Sequence, residues 1–268
     1  MDAIRQDLHP ELILSHLGSS ARAWVRELRV HLEIDSTNSH LMRRALVEDV
    51  DGVACLAERQ TNGRGRRGRT WLTPAGAAIA LSLGRRVSVA IADVAPLSLV
   101  VGLAVARAMH SSGITGVSLK WPNDVLLDGA KVAGVLIELA SGSNPVMAVI
   151  GVGINVGSGM EVRAHIGTPV GDVLDRNRHV SRNVLAANVI DSVHELTANF
   201  ESSGFSRMRR EWERLHAHQG EIVRVTSAAS SVEGVALGVT PNGELILETQ
   251  SGVANYSGGE VSLRAVPR

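Results

Sequence analysis

The densest group of chemically active side chains lies in the segment 60–71, which reads QTNGRGRRGRTW. Like charges this close repel one another, and glycine adds backbone freedom that folding must remove, so stability alone does not explain the segment. Bare glycine positions let backbone N–H groups approach phosphate or carboxylate oxygens, and guanidinium groups grip such oxygens in pairs. The segment therefore predicts a site for an anionic ligand. Its arginines are Arg64, Arg66, Arg67 and Arg69, and its glycines are Gly63, Gly65 and Gly68.

The same letters match the G-x-G-x-x-G pattern of dinucleotide-binding turns, between Gly63 and Gly68. That turn requires a helix directly after the glycines. Here the turn-forming Pro74-Ala75-Gly76 follows, and then an apolar run typical of a strand. A nucleic-acid contact of the Arg-Gly type is disfavoured, because no aromatic residues alternate with the arginines. A solvated basic loop stays open as the plain alternative.

Lysine is the second chemical signal, because it is so rare. Of 27 basic residues only Lys120 and Lys131 are lysine, and both lie within one twelve-residue window. An ammonium is a compact point charge that a guanidinium does not replace. The hairpin signal Asp128-Gly129 brings Lys131 within roughly 10 Å of Asp124, which long side chains can close. The window 120–131 is therefore a second candidate for chemistry.

A third polar cluster, Ser36-Thr37-Asn38, stands between a predicted strand and a predicted helix. All three are helix-capping residue types, and capping would explain one of them. Three short polar side chains in a row could also line a polar pocket. Both explanations are kept.

Composition limits what surrounds these clusters. The 268 residues suffice for one large domain and a small one, and the formal net charge is zero. The arginine-rich segment is thus a local feature and not part of a nucleic-acid-binding surface. The single cysteine, Cys55, excludes an internal disulfide and a cysteine-based zinc cluster, and its apolar neighbours predict a buried strand thiol. We expect no signal peptide and no membrane span, and hence a cytoplasmic protein.

The elements that must position the clusters follow from hydrophobic period and turn residues. Strands are predicted at Leu28–Ile34, Val53–Ala57, Ala77–Leu83, Val117–Trp121, Asp124–Leu127, Lys131–Leu139 and Val146–Val156. Helices are predicted at Ser39–Glu48, Leu97–Met109, Val184–Ser202 and Phe205–His218, with a short one near Pro169–Leu174. From Gly220 onward, hydrophobic residues recur at every second position. About fifty residues of such short strands, with a Gly258-Gly259 turn, predict a small β-barrel.

Together these residues resemble the motifs of the biotin protein ligases. That family carries a Ser-Thr-Asn segment, a GRGRxGRxW loop, KWPND, a K-x-A-G strand and a G-x-G-I-N strand. The matching segments occur here in the same order, at Ser36–Asn38, Gly63–Trp71, Lys120–Asp124, Lys131–Gly134 and Gly151–Asn155. The segment Gly258–Ser262 also resembles the family's C-terminal barrel.

The resemblance implies a fold and a reaction. The fold would be α/β (α+β): a class II aminoacyl-tRNA synthetase-like catalytic domain with a mixed sheet, residues 1–218, followed by a small SH3-like barrel, residues 219–268. Biotin and MgATP would give biotinyl-5′-AMP and pyrophosphate. A lysine of a biotin carboxyl carrier protein would then attack the mixed anhydride.

The resemblance also implies residue roles. Lys131, Arg66 and Asp124 would be catalytic, with Asp124 as the Mg²⁺ ligand. Biotin would be bound by Ser36, Thr37, Asn38, Gln60, Gly63, Arg64, Gly65, Arg66, Lys131 and Gly134. ATP would be bound by Arg66, Arg69, Trp71, Asn123 and Asn155. Trp71 is either a stacking partner for adenine or a loop anchor, and Lys120 is either a structural ion-pair partner or a direct participant.

Two rival functions are weighed against this one. A lipoate-type protein ligase shares the fold and the acyl-adenylate chemistry, but that family lacks the GRGRxGRxW and KWPND motifs. A biotin-responsive transcriptional repressor would carry a winged helix ahead of Ser36, for which we expect too little room. The oligomeric state stays open, with a homodimer among the options.

Overall fold

The computed structural model describes residues 7–140, 145–157, 170–226, 231–257 and 262–265. Its helices are α1 (Pro10–His16), α2 (Ser19–Trp24), α3 (Thr37–Ala45), α4 (Leu97–Ser111), α5 (Arg182–Ser203) and α6 (Ser206–Leu215). None of the helices in these ranges combines the length and apolarity that crossing a bilayer requires.

A mixed seven-stranded sheet forms the larger part of the molecule. Its strands are β1 (Glu27–Ile34), β2 (Val53–Gln60), β3 (Ala78–Val87), β4 (Val117–Lys120), β5 (Asp124–Leu127), β6 (Ala130–Ala140) and β7 (Val146–Asn155). Their spatial order is β1-β2-β3-β7-β6-β5-β4. In this sheet only β1 and β2 pair in parallel, because α3 carries the chain across between them. The other neighbouring strands pair antiparallel, and short turns join β4 to β5 and β5 to β6.

The second sheet is small and antiparallel, with strand order β11-β10-β9-β8-β12. Its strands are β8 (Ile222–Thr226), β9 (Ser231–Val239), β10 (Leu245–Thr249), β11 (Gly252–Tyr256) and β12 (Ser262–Ala265). Together the two sheets confirm the predicted fold class, an α/β (α+β) domain with a mixed sheet followed by a small β domain. The predicted Gly258-Gly259 turn lies outside the described residues.

Two apolar cores hold the elements together. The larger one joins the sheet to α4, which is apolar on most sides and buried along its length, and to α5, which packs beside it. The smaller one lies under α3 on the sheet. Cys55 belongs to it with 1% of its surface exposed, which confirms the predicted buried strand thiol.

Local details agree with the sequence at the turns and differ at some helix ends. The Asp128-Gly129 hairpin is confirmed, with φ of 50° and 80° at its two residues, the left-handed pair that a two-residue turn requires. Helix α3 begins at Thr37 rather than Ser39, because the side chain of Ser36 accepts from the Ser39 N–H as its N-cap. Of the short helix predicted near Pro169–Leu174, the described part is a 3-10 turn at Val173–Asp175.

Candidate active site

The three polar clusters meet at one cavity of about 630 Å³, a size typical of small-ligand sites. The start of α3, the loop between β2 and β3, the hairpin segment 120–131 and the faces of β6 and β7 surround it. Predicted site residues on its lining are Ser36, Thr37, Asn38, Gln60, Arg64, Gly65, Arg66, Arg69, Trp71, Asn123, Asp124, Lys131 and Gly134. Gly63 and Asn155 are not among the lining residues.

One wall of the cavity consists of neutral hydrogen-bonding groups. The Thr37 N–H donates to Gln60 Oε1 at 2.9 Å, and Gln60 Nε2 donates to Thr73 Oγ1 at 3.0 Å. Ser82 Oγ lies 2.8 Å from Thr37 Oγ1 and 2.6 Å from Asn38 Oδ1. These groups fix one another's orientation, so the wall is preorganised for a polar, uncharged part of a ligand.

Two glycines of β7 shape the floor of the cavity. A Cβ at Gly151 would lie 2.4 Å from Asn38 Oδ1, and one at Gly153 would lie 2.4 Å from Trp71 Cε2. Real Cβ atoms do not approach so closely, so both positions require glycine for the side chain above them. The glycine pattern of the strand is thus explained by close packing with Asn38 and Trp71.

The opposite wall is cationic. Arg66 is half-buried, and its Nη1 donates to Asn123 Oδ1 at 3.1 Å, while Asn123 Nδ2 donates to the Val135 carbonyl at 2.8 Å. Burial, followed by the charge of Arg67, lowers the pKa of the Arg66 guanidinium. An anion entering the cavity would relieve both effects, because it replaces lost solvation and offsets the neighbouring charge.

Lys131 lies on the same side, between an acid and an aromatic ring. Its Nζ is 2.6 Å from Asp124 Oδ1 and 5.6 Å from the centre of the Trp71 ring. Its side chain is 39% exposed, and it lines the cavity together with the arginine loop. The arginine loop and Lys131, which the sequence analysis singled out separately, therefore line the same cavity.

The arginine loop is closed at its base by backbone hydrogen bonds, and Arg64, like Arg66, binds a side chain outside the loop. The Trp71 N–H donates to the Gly63 carbonyl at 2.9 Å, and the Gly65 N–H donates to the Arg69 carbonyl at 2.7 Å. Arg64 Nη2 binds Glu138 Oε1 at 2.7 Å. Arg67, with φ of 58°, occupies the left-handed region that a non-glycine residue adopts only at a cost.

The two predicted residues away from the lining have structural contacts instead. Gly63 is buried, and a Cβ there would lie 2.2 Å from the Trp71 carbonyl oxygen, so glycine lets the loop close. Asn155 is buried at the end of β7, and its Nδ2 donates to the Gly171 carbonyl at 3.2 Å. Their assignment to biotin and ATP stays a prediction.

Three lining or supporting residues escaped the sequence analysis. Ser82 is a polar residue inside the otherwise apolar run of β3, which was a usable signal. Glu138 is the partner of Arg64, and nothing in the sequence links the two. His218 follows α6, lines the cavity and places Nδ1 3.1 Å from Glu221 Oε2, so the connection to the second sheet forms part of the wall.

A divalent metal ion has one suitable anchor here. Asp124 is the sole carboxylate among the described residues of the lining, and Asn123 adds an amide oxygen beside it. Mg²⁺ typically keeps several waters and binds one or two carboxylates together with substrate phosphates. The donor set therefore fits an Mg²⁺ ion that enters with a nucleotide and does not fit an all-protein metal cage.

Comparison with known proteins gives the same family throughout. Residues 33–155 match the model of the biotin/lipoate A/B protein ligase family, and residues 218–264 match the biotin protein ligase C-terminal domain. The biotin–[acetyl-CoA-carboxylase] ligase of Mycobacterium tuberculosis is 34% identical over 97% of each chain. The bifunctional ligase/repressor BirA of Escherichia coli is 34% identical over 88% of this chain and 73% of that protein.

A solved structure extends the likeness to three dimensions. The biotin protein ligase from Aquifex aeolicus in complex with biotin and ATP superposes with a TM-score of 0.79 at 28% identity, over 90% of this chain and 100% of that one. The sequence motifs, the overall fold and these relatives agree. The chain belongs to the biotin protein ligase family.

Proposed function

We propose that this chain activates biotin with ATP, giving biotinyl-5′-AMP and pyrophosphate, and then transfers biotin to a lysine of a biotin carboxyl carrier protein. The observation that carries the proposal is the pairing of two unlike walls in one cavity. The neutral wall of Thr37 and Gln60 suits an uncharged cyclic urea, and the cationic wall of Arg66 and Lys131 suits a carboxylate beside a phosphate.

The first half-reaction explains why the cations are needed. A carboxylate oxygen attacks the α-phosphorus, a new C(O)–O–P linkage forms, and the bond to pyrophosphate breaks. Two anions must therefore be held in contact, so the protein contributes mainly positioning and charge neutralisation. Among the described lining residues, the cations of the loop and of the segment 120–131 outnumber the carboxylates, of which there is one, Asp124.

Residue roles follow from position on the walls. We assign Ser36, Thr37 and Gln60 to hydrogen bonds with the ureido ring, and Asn38 to the support of that wall through Ser82. Gly65 and Gly134 leave room for the ligand, and Arg64 and Arg66 cover the carboxylate and the α-phosphate. Lys131 bridges oxygens of both groups.

The nucleotide side is assigned to Arg69, Asn123 and Asp124. Mg²⁺, when bound, neutralises charge on the phosphates, and Asp124 with Asn123 would hold it. The Trp71 ring lies against Gly153 and beside Gly134, which favours the anchor explanation over adenine stacking.

Biotin is favoured over lipoate by the C-terminal match to the biotin protein ligases and by the names of the full-length relatives. We infer a division into a catalytic domain, residues 1–218, and a C-terminal domain, residues 219–268. The end of α6 at Leu215 and the start of β8 at Ile222 support that division. We assign no part in the reaction to nucleic acid or to a membrane.

Transfer of labelled biotin to an isolated carrier domain tests the function. We expect label on the carrier only when ATP and Mg²⁺ are present, and none on a carrier whose acceptor lysine is replaced by arginine. Labelled lipoate serves as the matched competitor. Transfer of lipoate in preference to biotin, or transfer of biotin without ATP, would contradict the proposal.

A further inference from the structure

Three potential metal ligands come together on the face of the large sheet that α3 covers. They are His31 on β1, Cys55 on β2 and His40 on α3, and their ligand atoms all lie within 4.8 Å of one another. None of the three lines the cavity described above. The cluster is thus separate from the candidate active site.

The fold, not the local sequence, creates this cluster. In the parallel register His31 stands opposite Ala57, two residues after Cys55. Because side chains alternate along strands, His31 and Cys55 point to the same face. Helix α3 crosses over that face and brings His40 beside them, with the two imidazole centres 5.2 Å apart.

One nitrogen of the cluster lacks an ordinary hydrogen-bond partner. His31 Nε2 is buried and has no hydrogen-bond partner among the described residues. A buried unsatisfied nitrogen costs free energy, so such an atom calls for an explanation.

The charges around the cluster balance. Arg44 binds Glu27 at 2.8 Å, and Arg43 binds Asp35 at 2.7 Å. Arg29 also binds Glu27, at 2.7 Å, while Arg44 binds Glu48 as a second carboxylate, at 2.5 Å, so three guanidiniums meet three carboxylates. Each nearby guanidinium therefore faces a carboxylate, and a cation entering between the histidines meets no uncompensated positive field.

We propose that His31, His40 and Cys55 bind a Zn²⁺ ion. Two imidazoles and one thiolate match the borderline-soft character of Zn²⁺, and water can take the fourth position because both histidines are only half-buried. Metal–ligand bonds of about 2.0–2.3 Å place ligand atoms roughly 3.5 Å apart. Side-chain rotations bring the three atoms to that spacing, and Cys55 gives up its thiol proton when the Zn–S bond forms.

A bound ion would cross-link helix α3 to β1 and β2. The first turn of that helix carries Thr37 and Asn38, which line the cavity. Zinc would therefore stiffen the neutral wall of the active site from behind. The site does not depend on the ligase reaction, and it can be tested without substrates.

Cobalt titration of the whole protein is the direct test. Because Cys55 is the sole cysteine of the chain, a sulfur-to-cobalt charge-transfer band in the near ultraviolet reports that one ligand. We expect the band to saturate at one equivalent of Co²⁺ and to disappear when Zn²⁺ is added. His31→Gln, His40→Gln and Cys55→Ala should each lose it, and the exposed His110→Gln should retain it.

Heat unfolding gives an independent measurement. Zinc should raise the Tm of the wild type and of His110→Gln but not of His40→Gln, since binding to the folded state alone stabilises it. Circular dichroism of each metal-free variant checks that it folds. No charge-transfer band in the folded wild type, or a band that survives in the His31→Gln/His40→Gln double variant, would overturn the proposal.

Discussion

Lys131 shows how much a single residue type can indicate when the rest of the chain avoids it. Its ammonium lines the cavity together with the arginine loop and pairs with Asp124, the sole carboxylate among the described lining residues, at 2.6 Å. A half-exposed pair of this kind contributes about 0–1 kcal/mol to stability. The presence of lysine at position 131 is therefore better explained by a role in the reaction than by a contribution to stability.

Replacement of Lys131 by arginine should separate the two explanations. We expect Lys131→Arg to fold with nearly unchanged Tm and to lose adenylation by about 10²–10³-fold, because a planar guanidinium does not replace a bridging point charge. Biotin-dependent pyrophosphate release measures the loss, and thermal unfolding checks the fold. Wild-type pyrophosphate release would remove Lys131 from the mechanism.

Strand β7 forms the floor of the candidate active site. Gly151 and Gly153 leave space that Asn38 and Trp71 fill. Side chains from both walls of the cavity therefore pack against this one strand. On the paired strand β6, Gly134 lies opposite Gly153, but a Cβ there would remain 3.4 Å from the Trp71 ring. The two glycines therefore differ in how strongly Trp71 requires them.

Alanine at the two glycines measures that difference. Gly153→Ala should destabilise the protein by about 1–3 kcal/mol through the clash with Trp71, and Gly134→Ala by clearly less. Urea unfolding gives both values. In a Trp71→Ala background the cost of Gly153→Ala should shrink, as a double-mutant cycle detects. An unchanged cost there would mean that Trp71 is not what the glycine accommodates.

The arginine loop between β2 and β3 is held by few contacts in comparison. We expect it to be open to trypsin in the free protein and protected when biotin and ATP are added, because the ligands supply anions for the exposed Arg67 and Arg69. The cleavage rate within residues 63–69 measures this. Arg178, exposed in another loop, is the internal control and should be cut equally in both states. Equal cleavage of the arginine loop in both states would contradict the ordering.

At the scale of the whole molecule, the second sheet is hydrogen-bonded to the segment 120–131 and to helix α6. Trp121 Nε1 donates to the Gly243 carbonyl at 3.0 Å, and the Val239 N–H donates to Glu213 Oε1 at 3.2 Å. Buried residues of β8, β9 and β10 belong to the same apolar core as α4 and α5. His216 sits at this junction, buried and stacked on Trp212 with ring centres 4.8 Å apart.

His216 makes the junction sensitive to acid. Burial lowers its pKa to about 4, whereas the unfolded chain titrates near the ordinary value of about 6.5. Between these values the unfolded state binds more protons, so the free energy of unfolding falls as pH falls, by roughly 3 kcal/mol between pH 7 and pH 4. Above pH 6.5 the contribution is fully present.

The variant His216→Phe should keep the stack on Trp212 and flatten the pH dependence in this window. Urea unfolding at a series of pH values measures the slope, and the exposed His110→Gln should leave it unchanged. A wild-type slope in His216→Phe would assign the acid sensitivity to other groups.

The sequence determined most of the features that depend on interactions between residues close together along the chain. Period and turn residues gave the strands, the Asp128-Gly129 hairpin and the buried helix α4, because these patterns act within a few residues. The motif residue types, guanidinium among glycines and a rare ammonium, indicated an anion site and its family. The glycines of β7 and the polar Ser82 were visible in the sequence as exceptions within apolar strands.

Only the tertiary structure decided which distant residues meet. Glu138 reaches Arg64 across 74 positions, His218 enters the cavity from beyond α6, and His31, His40 and Cys55 gather on a face that exists only after β1 and β2 pair. Gly63 and Asn155 occupy the expected motif positions in the sequence, but in the structure they do not line the cavity. The reason is physical: residue type sets what a side chain can do, whereas sheet register and helix packing set its neighbours.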